Sequence, residues 1–170
     1  NGKLWVAVGN GTTTLAYSYD GINWTELGNT IFSFSGRSVA WNGRREHTIT
    51  FPANLTVAVG EGTNTMAYSY DGITWTGLGD TIFSIGGFGV AWNGKLWVAL
   101  GEGTNTIAYS YDGITWTGLG DTIFSNRGNG VAWNGALWVA VGNGTTNTIA
   151  YSTDGITWTG LGKNVFSNYG

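Results

Sequence analysis

The chain of 170 residues contains no cysteine, one proline and one histidine, and only 10% of its residues are charged. The lack of cysteine excludes disulfides and thiolate zinc sites, and one histidine cannot assemble a histidine metal cluster. With seven basic residues and a formal net charge of −3, no positive patch for nucleic acid or anionic lipid is expected. No apolar run approaches the roughly 18 residues of a membrane-spanning helix, so membrane insertion is not expected either.

Glycine and aromatic residues are abundant instead. The chain has 30 glycines and ten tryptophans, and aromatic residues make up 15% of it. Disordered chains are poor in aromatics and rich in charge, so this composition indicates a folded protein. Gly, Thr, Trp, Tyr and Val outweigh the strong helix formers, which favours an all-β fold. No motif implies a cofactor.

The sequence consists of four related repeats. Their shared segment AYSYDG or AYSTDG stands at 16–21, 67–72, 108–113 and 150–155. The aspartates of these copies are 51, 41 and 42 residues apart, and the longer first interval contains an insertion at 44–53. The approximate repeats are 1–37, 38–88, 89–129 and 130–170. A period of about 40 to 45 residues is typical of a β-propeller blade with four antiparallel strands.

Each repeat divides into four short segments that end in turn residues. In the third repeat these segments are 89–94, 95–103, 104–113 and 114–120. Ile107, Tyr109 and Tyr111 alternate with the small residues Thr106, Ala108 and Ser110, which indicates strands with two different faces. The Asn-Gly and Asp-Gly pairs between segments predict two-residue hairpin turns with positive φ at both central positions. We therefore predict an all-β propeller built of four blades of about 42 residues.

The first blade is expected to lack one strand. The segment VAW, which marks the first strand, occurs only at 39–41, 90–92 and 131–133, whereas the other three segments occur four times. An incomplete blade exposes strand edges that favour association. The chain is expected to close as a four-bladed ring with one defective blade, to pair into an eight-bladed ring, or to be a segment or subunit whose neighbour supplies the strand. Self-association is therefore predicted.

The most specific motif is Ser-x-Asp-Gly-x-x-Trp, which occurs once in every repeat. Its members are Ser18, Asp20 and Trp24; Ser69, Asp71 and Trp75; Ser110, Asp112 and Trp116; and Ser152, Asp154 and Trp158. This motif resembles the Asp-box, or BNR repeat, of sialidase-like and sortilin-like β-propellers, in a form one residue shorter. The resemblance implies a propeller but no single activity, because Asp-boxes occur in glycosidases, receptors and lectins alike. Asp and Ser at a hairpin tip can bind nearby backbone N–H groups, so a structural role is expected.

Candidate binding residues lie in the loops between the second and third strands and in the linkers between blades. Both sets of segments are expected on one rim of the propeller. The candidates are Asn10, Arg37, Glu61, Asn64, Asp80, Glu102, Asn105, Asp121, Arg127 and Asn143. Polar, weakly charged loops near aromatic rings suit neutral sugars, and repeated weak sites give avidity. For each single residue, ordinary turn chemistry is the alternative.

The leading functional hypothesis is a non-enzymatic propeller outside the cell, or on a cell or virion surface, that binds glycans or another surface partner. One alternative is a structural subunit of an extracellular filament, sheath or virion surface. Another is a fragment of a sialidase-like glycosidase. Sialidases of this kind use an arginine triad, whereas this chain has four arginines, two of them adjacent in the insertion. We therefore predict no catalytic residues and no metal site.

Four Asn-x-Thr sequons mark possible N-glycosylation sites. They are Asn10, Asn23, Asn54 and Asn143. The insertion at 44–53 holds the only histidine and the only proline. It is either an arm that contacts a partner or a tolerated surface loop.

Overall fold

A computed structural model describes residues 4–42 and 54–170, so the insertion predicted at 44–53 lies outside the described residues. Fifteen β-strands and no helices form in this part of the chain. The strands are β1 (Trp5–Val8), β2 (Leu15–Ser18), β3 (Thr25–Glu26), β4 (Ser35–Trp41), β5 (Thr56–Glu61), β6 (Met66–Ser69), β7 (Thr76–Gly77), β8 (Gly86–Trp92), β9 (Trp97–Glu102), β10 (Ile107–Ser110), β11 (Thr117–Gly118), β12 (Arg127–Trp133), β13 (Trp138–Asn143), β14 (Ile149–Ser152) and β15 (Thr159–Gly160). Residues 4–42 and 54–170 contain no helix that meets the length and apolarity of a membrane span.

The strands form four consecutive antiparallel meanders, which we call units 1 to 4. Unit 1 contains β1–β3, unit 2 contains β4–β7, unit 3 contains β8–β11 and unit 4 contains β12–β15. Within each unit, every strand pairs with the next one along the chain. The described part of unit 1 has three strands, whereas each of the other units has four. Along 4–42 and 54–170 the sheets do not close on themselves.

Neighbouring units are joined where the second strand of one meets the first strand of the next. The bridging pairs are Asn10 with Ser35, Glu61 with Gly86, and Glu102 with Arg127. The first strands β4, β8 and β12 lie beside one another on the inner side of the array. This arrangement places the ends of the second strands next to the innermost strands.

Apolar side chains between the units form three equivalent cores. Between units 2 and 3, Leu55, Val57 and Val59 of one unit pack against Trp97 and Ala99 of the next. The same positions recur between units 3 and 4 and between units 1 and 2. Because strand residues alternate between the two faces, each unit contributes one face to each of its neighbours. Burial of one large aliphatic side chain contributes about 1.5 to 3 kcal/mol to the free energy of unfolding.

Two local predictions were wrong. The fourth strand of unit 3 was expected over 114–120, but only Thr117–Gly118 pairs with β10. The reason is that Asp112 accepts hydrogen bonds from the N–H groups of Ile114 and Thr115, which keeps these residues in the turn.

The hairpins that follow the first strands also differ from the prediction. Gly94 has a φ of 100°, but Asn93 does not have a positive φ. Instead, Asn93 Oδ1 accepts hydrogen bonds from the N–H groups of Lys95 and Leu96 at 2.9 and 2.7 Å. Asparagine therefore fixes this turn through its side chain, and only the glycine adopts the left-handed backbone.

Candidate functional site

The loops and linkers predicted to share one rim do lie together. The Ser33 hydroxyl accepts a hydrogen bond from Thr63 N–H at 2.9 Å, and Ser84 and Ser125 do the same for Thr104 and Thr145. Each linker is thus attached to the loop between the second and third strands of the unit that follows. We call this surface the loop rim.

At the inner side of the loop rim, six side chains from units 2 to 4 form a group that we call the mouth cluster. Its members are Arg37, Glu61, Phe88, Glu102, Arg127 and Asn129. Irregularities in the first strands of units 2 to 4 place three of these side chains. The pairing register shifts between Gly36 and Ser38, between Gly87 and Gly89, and between Gly128 and Gly130. The extra residues of these three bulges are Arg37, Phe88 and Asn129, and bulges commonly redirect a side chain in this way.

Two arginine–glutamate pairs supply the charges of the mouth cluster. Arg37 Nη2 lies 2.9 Å from Glu61 Oε2, and the Ser35 hydroxyl donates a hydrogen bond to the same oxygen at 2.9 Å. Arg127 Nη1 lies 3.9 Å from Glu102 Oε2. The first pair is therefore a close hydrogen-bonded ion pair, and the second is a looser one.

Asn129 holds the second arginine in place. Arg127 Nε donates a hydrogen bond to Asn129 Oδ1 at 2.7 Å, and Asn129 Nδ2 donates to the carbonyl of Gly170 at 2.8 Å. The guanidinium is therefore fixed through its Nε, while its Nη groups face the looser pair with Glu102.

Phe88 stands between the two arginines. Its ring centroid lies 5.7 Å from Arg37 Cζ and 4.8 Å from Arg127 Cζ. Both distances are within the range of a cation–π interaction, which contributes about 0.5 to 1 kcal/mol at an exposed site. Phe88 and Asn129 were not predicted. The available signal was the departure from the repeat, since the same position holds Arg37 in unit 2.

Gly86 makes room for this arrangement. A Cβ atom at Gly86 would lie 2.8 Å from Glu61 Cγ and 3.3 Å from Phe88 Cζ. The equivalent position holds Ser35 in unit 2 and Arg127 in unit 4. The three units thus present different side chains at the same structural position.

The formal charges of the mouth cluster cancel. Two cations and two anions sum to zero charge, and an amide adds one more donor and acceptor. These groups surround an aromatic ring that is partly exposed. Such a set can exchange several hydrogen bonds with a hydroxylated ligand while the ring contacts its apolar face.

Asn64 and Asn105 are used inside the protein. Asn64 Nδ2 donates to the carbonyl of Ile31 at 2.7 Å, and Asn64 Oδ1 accepts from Gly79 N–H at 2.9 Å. Asn105 makes the same two bonds at the next interface, and Asn147, which was not predicted, makes them in unit 4. These amides link two successive linkers, which accounts for the recurrence of asparagine without a ligand.

The remaining candidates are spread along the loop rim. Asp80 and Asp121 are exposed at the start of their linkers, three residues after the outermost strands β7 and β11. Asn10 is exposed beside Ser35, and Asn143 Oδ1 lies 3.4 Å from Asn126 Nδ2. The structure therefore brings together Arg37, Glu61, Glu102 and Arg127 of the predicted set.

The four box motifs form equivalent turns on the opposite side of the units. In unit 4, the Ser152 hydroxyl donates to Asp154 Oδ1 at 2.9 Å and accepts from Gly155 N–H at 2.8 Å. Asp154 Oδ1 also accepts from the N–H groups of Ile156 and Thr157 at 2.8 and 2.7 Å. The same bonds recur around Asp20, Asp71 and Asp112.

The tryptophan of the motif covers the turn from its far end. Trp75, Trp116 and Trp158 donate an indole N–H to the carbonyl of the motif glycine at 3.2, 3.1 and 3.2 Å. Trp24 in unit 1 is 44% exposed. The hydrogen bonds of the motif thus stabilise its own turn.

The turn hydrogen bonds favour the ionised form of each box aspartate. The backbone N–H groups of Ile156 and Thr157 hold the pKa of Asp154 at about 2, below its ordinary value of 3.8. At Asp71, partial burial raises the pKa, but the N–H groups of Ile73 and Thr74 and the Ser69 hydroxyl together outweigh it, and the pKa is about 2. Hydrogen bonds to a carboxylate lower its pKa in this way.

Two of the predicted glycosylation sites have side-chain or backbone constraints. The Asn23 amide donates to Asp20 Oδ2 at 2.7 Å, so it takes part in the box turn of unit 1. Asn54 has a φ of 74°, in the left-handed region. Asn10 is exposed in its loop, and Asn143 ends β13. Glycosylation of these sites stays a prediction.

Clefts also separate the outer parts of neighbouring units. One of about 290 Å³ is lined by Ile107, Leu119 and Ile123 of unit 3 and its linker and by Ile156 and Trp158 of unit 4. An equivalent cleft lies between units 2 and 3. Across residues 4–42 and 54–170, no three His, Asp or Glu side chains are grouped as metal ligands would be.

Comparisons with known proteins place the fold. No protein-family model matches the chain, and no curated protein matches it. Among solved structures, it is similar to the GH74 enzyme of Niastella koreensis, with a TM-score of 0.56 and 21% sequence identity. The match covers 93% of this chain and 22% of that chain, so this chain spans a small part of its neighbour's length. Since the neighbour is a β-propeller enzyme, this chain has an all-β, antiparallel architecture like that of a β-propeller.

Proposed function

We propose that the four units are consecutive blades of an Asp-box β-propeller and that the protein binds glycans, without catalysis, through the mouth cluster. The observation that carries the proposal is the grouping of Arg37, Phe88 and Arg127 with Glu61 and Glu102 on the loop rim. The guanidinium groups can donate hydrogen bonds to sugar hydroxyls, and the carboxylates can accept hydrogen bonds from them. The Phe88 ring offers a surface for an apolar sugar face.

Further support comes from the surroundings of the cluster. The loop rim is rich in Asn, Thr, Ser and Gly and poor in net charge, which suits a neutral ligand better than a highly charged one. The similarity to a GH74 enzyme is consistent with a carbohydrate-related role. A location outside the cell or on a cell or virion surface, where glycans are met, is part of this proposal.

The test is a broad glycan array followed by titration calorimetry with any sugar that binds. We expect Phe88→Ala and Arg127→Ala to weaken binding by tenfold or more, because they remove the ring and its neighbouring cation. Phe34→Ala is the matched control, since Phe34 is a phenylalanine on the same rim, is 62% exposed and lies outside the cluster. An array that shows no binding at high protein density would overturn the proposal.

A second candidate function is glycoside hydrolysis, which the similarity to the GH74 enzyme favours. The hydrolysis needs two carboxylates on either side of the scissile bond, and Glu61 and Glu102 lie on the same rim. Each is paired with an arginine, however, and Glu61 Oε2 also accepts a hydrogen bond from the Ser35 hydroxyl, so both carboxylates already have partners within the protein.

Fluorogenic glycosides distinguish the two functions. Turnover by the wild-type chain that is lost in both Glu61→Gln and Glu102→Gln would establish the hydrolase. Binding of a glycan without turnover would establish the binding protein.

A further inference from the structure

The outer face of unit 1 exposes side chains that are buried in the other units. Trp5 is 63% exposed, whereas Trp97 and Trp138 at the same position are 1% and 0% exposed. Ile22 is 81% exposed, whereas its counterpart Ile156 packs against the core between units 3 and 4. We call this surface the leading face.

The outer face of unit 4 also exposes side chains whose counterparts in the other units are buried. Phe166 is 40% exposed, whereas Phe32, Phe83 and Phe124 at the same position are fully buried. Leu161 and Val165 are also exposed. Their counterparts Leu119 and Ile123 pack against the core between units 3 and 4. We call this surface the trailing face.

These two surfaces are the two halves of an interface that the chain already builds three times. In every inter-unit core, the trailing face of one unit packs against the leading face of the next. The box glycines show how closely they fit. A Cβ atom at Gly155 would lie 2.6 Å from Leu96 Cδ2 and 3.1 Å from Val98 Cγ2, which both belong to the preceding unit.

The segment that follows β15 makes the same backbone contact with unit 4 that the linker after unit 1 makes with unit 1. Gly170 N–H donates to the Gly142 carbonyl at 3.0 Å, and Gly36 N–H donates to the Gly9 carbonyl at 2.8 Å in the interface between units 1 and 2. The backbone beside unit 4 therefore follows the same course as the backbone that leads from unit 1 into unit 2. The trailing face is formed with the geometry that a following unit requires.

We infer that the trailing face of one chain binds the leading face of a second copy of the same chain. The occupant is a second copy because the contacts continue the established inter-unit interface, with Leu161 and Phe166 of one copy against Trp5 and Ile22 of the other. The two surfaces differ, so the contact is head to tail. Such contacts close a ring if the rotation allows and otherwise extend into a filament. The inference does not depend on the ligand of the mouth cluster.

The first measurement is sedimentation velocity of the full 170-residue chain over a wide concentration range. We expect species of two or more chains whose population rises with concentration. Trp5→Asp and Leu161→Asp each place a charge in the contact, and each is expected to weaken self-association by tenfold or more. Because both residues are exposed in the single chain, its fold is not expected to change. Tyr111→Asp is the control, since Tyr111 is an equally exposed aromatic residue on an inner unit.

A mixing experiment tests the direction of the contact. The Trp5→Asp chain keeps an intact trailing face, and the Leu161→Asp chain keeps an intact leading face. Equal amounts of the two are expected to form a dimer that neither forms alone and that grows no further. A wild-type chain that stays monomeric at its highest soluble concentration would overturn the inference. So would association that both aspartate variants leave unchanged, or a mixture that stays monomeric.

Discussion

The box aspartates act on their own turns, and this gives them a defined dependence on pH. Each accepts two backbone N–H bonds and one hydroxyl bond, so the ionised form is stabilised in the folded chain only. A carboxyl group whose pKa is lower in the folded state adds stability above its unfolded pKa. That contribution is lost as the pH falls through the folded pKa.

We therefore expect the urea midpoint of unfolding to fall as the pH is lowered from about 4 to about 2, because Asp71 and Asp154 have pKa values of about 2 in place of 3.8. In Asp154→Asn the titrating group is absent, so the midpoint should fall less steeply over the same interval. Urea unfolding followed by tryptophan fluorescence measures both. Parallel curves for the variant and the wild type would contradict the assignment.

At the level of single residues, sequence patterns located the candidates better than they assigned their roles. Glu61, Glu102, Arg37 and Arg127 were found because they lie in the loops and linkers predicted to share one rim. Phe88 was missed because aromatic residues are common throughout this chain. The roles of Asn64 and Asn105 depend on carbonyls in a different linker, 33 and 23 residues away, and no local pattern shows that contact.

At the level of elements, the fit between units depends on glycine in the box turn. Gly113 has a φ of 75°, and a Cβ atom there would collide with Leu55 Cδ2 of the preceding unit. Gly120 has the same φ but no atoms within 4 Å of such a Cβ. The two glycines therefore share the backbone requirement and differ in the packing requirement.

We expect Gly113→Ala to lower the free energy of unfolding more than Gly120→Ala does, by about 1 to 3 kcal/mol, the usual cost of overpacking a core. The left-handed backbone penalises both substitutions equally, so the difference isolates the packing between units 2 and 3. Chemical denaturation of the two variants measures it. Equal losses would mean that Leu55 moves aside without cost.

The repeat period and the alternating residues predicted the order and pairing of most strands. The fourth strands came out shorter than predicted because box side chains hold the N–H groups that pairing would need. Alternation in sequence does not show which N–H groups a side chain has already taken. The bulges at Arg37, Phe88 and Asn129 left no sequence pattern except a preceding glycine, and they set the direction of the cluster's side chains.

At the level of the whole molecule, the inner units 2 and 3 differ from the end units 1 and 4 in how many of their faces pack against a neighbouring unit. Units 2 and 3 pack against neighbours on both faces, whereas units 1 and 4 each have one face with exposed apolar residues. In repeat proteins, stability is roughly a sum of the units and the interfaces between them. Each end unit therefore has one interface fewer.

We expect amide hydrogen exchange in dilute, monomeric protein to be slowest in β5 and β9 and at least tenfold faster in β2 and β14. Strands of the end units open locally at lower free energy because fewer contacts hold them. Exchange followed by mass spectrometry resolves these segments. Uniform protection along the array would show that the units unfold only together.

The three inter-unit cores place buried apolar side chains at corresponding positions, whereas the mouth cluster differs from unit to unit. Removal of 89–129 would join the linker of unit 2 to the first strand of unit 4 and restore an equivalent core. The same deletion would remove Glu102, Arg127 and Asn129 of the mouth cluster together. A change in the number of units can thus keep the packing between units, while the side chains of the mouth cluster depend on one particular order of units. Duplication of a unit would therefore repeat the packing positions, whereas a different mouth cluster requires substitutions at the bulges.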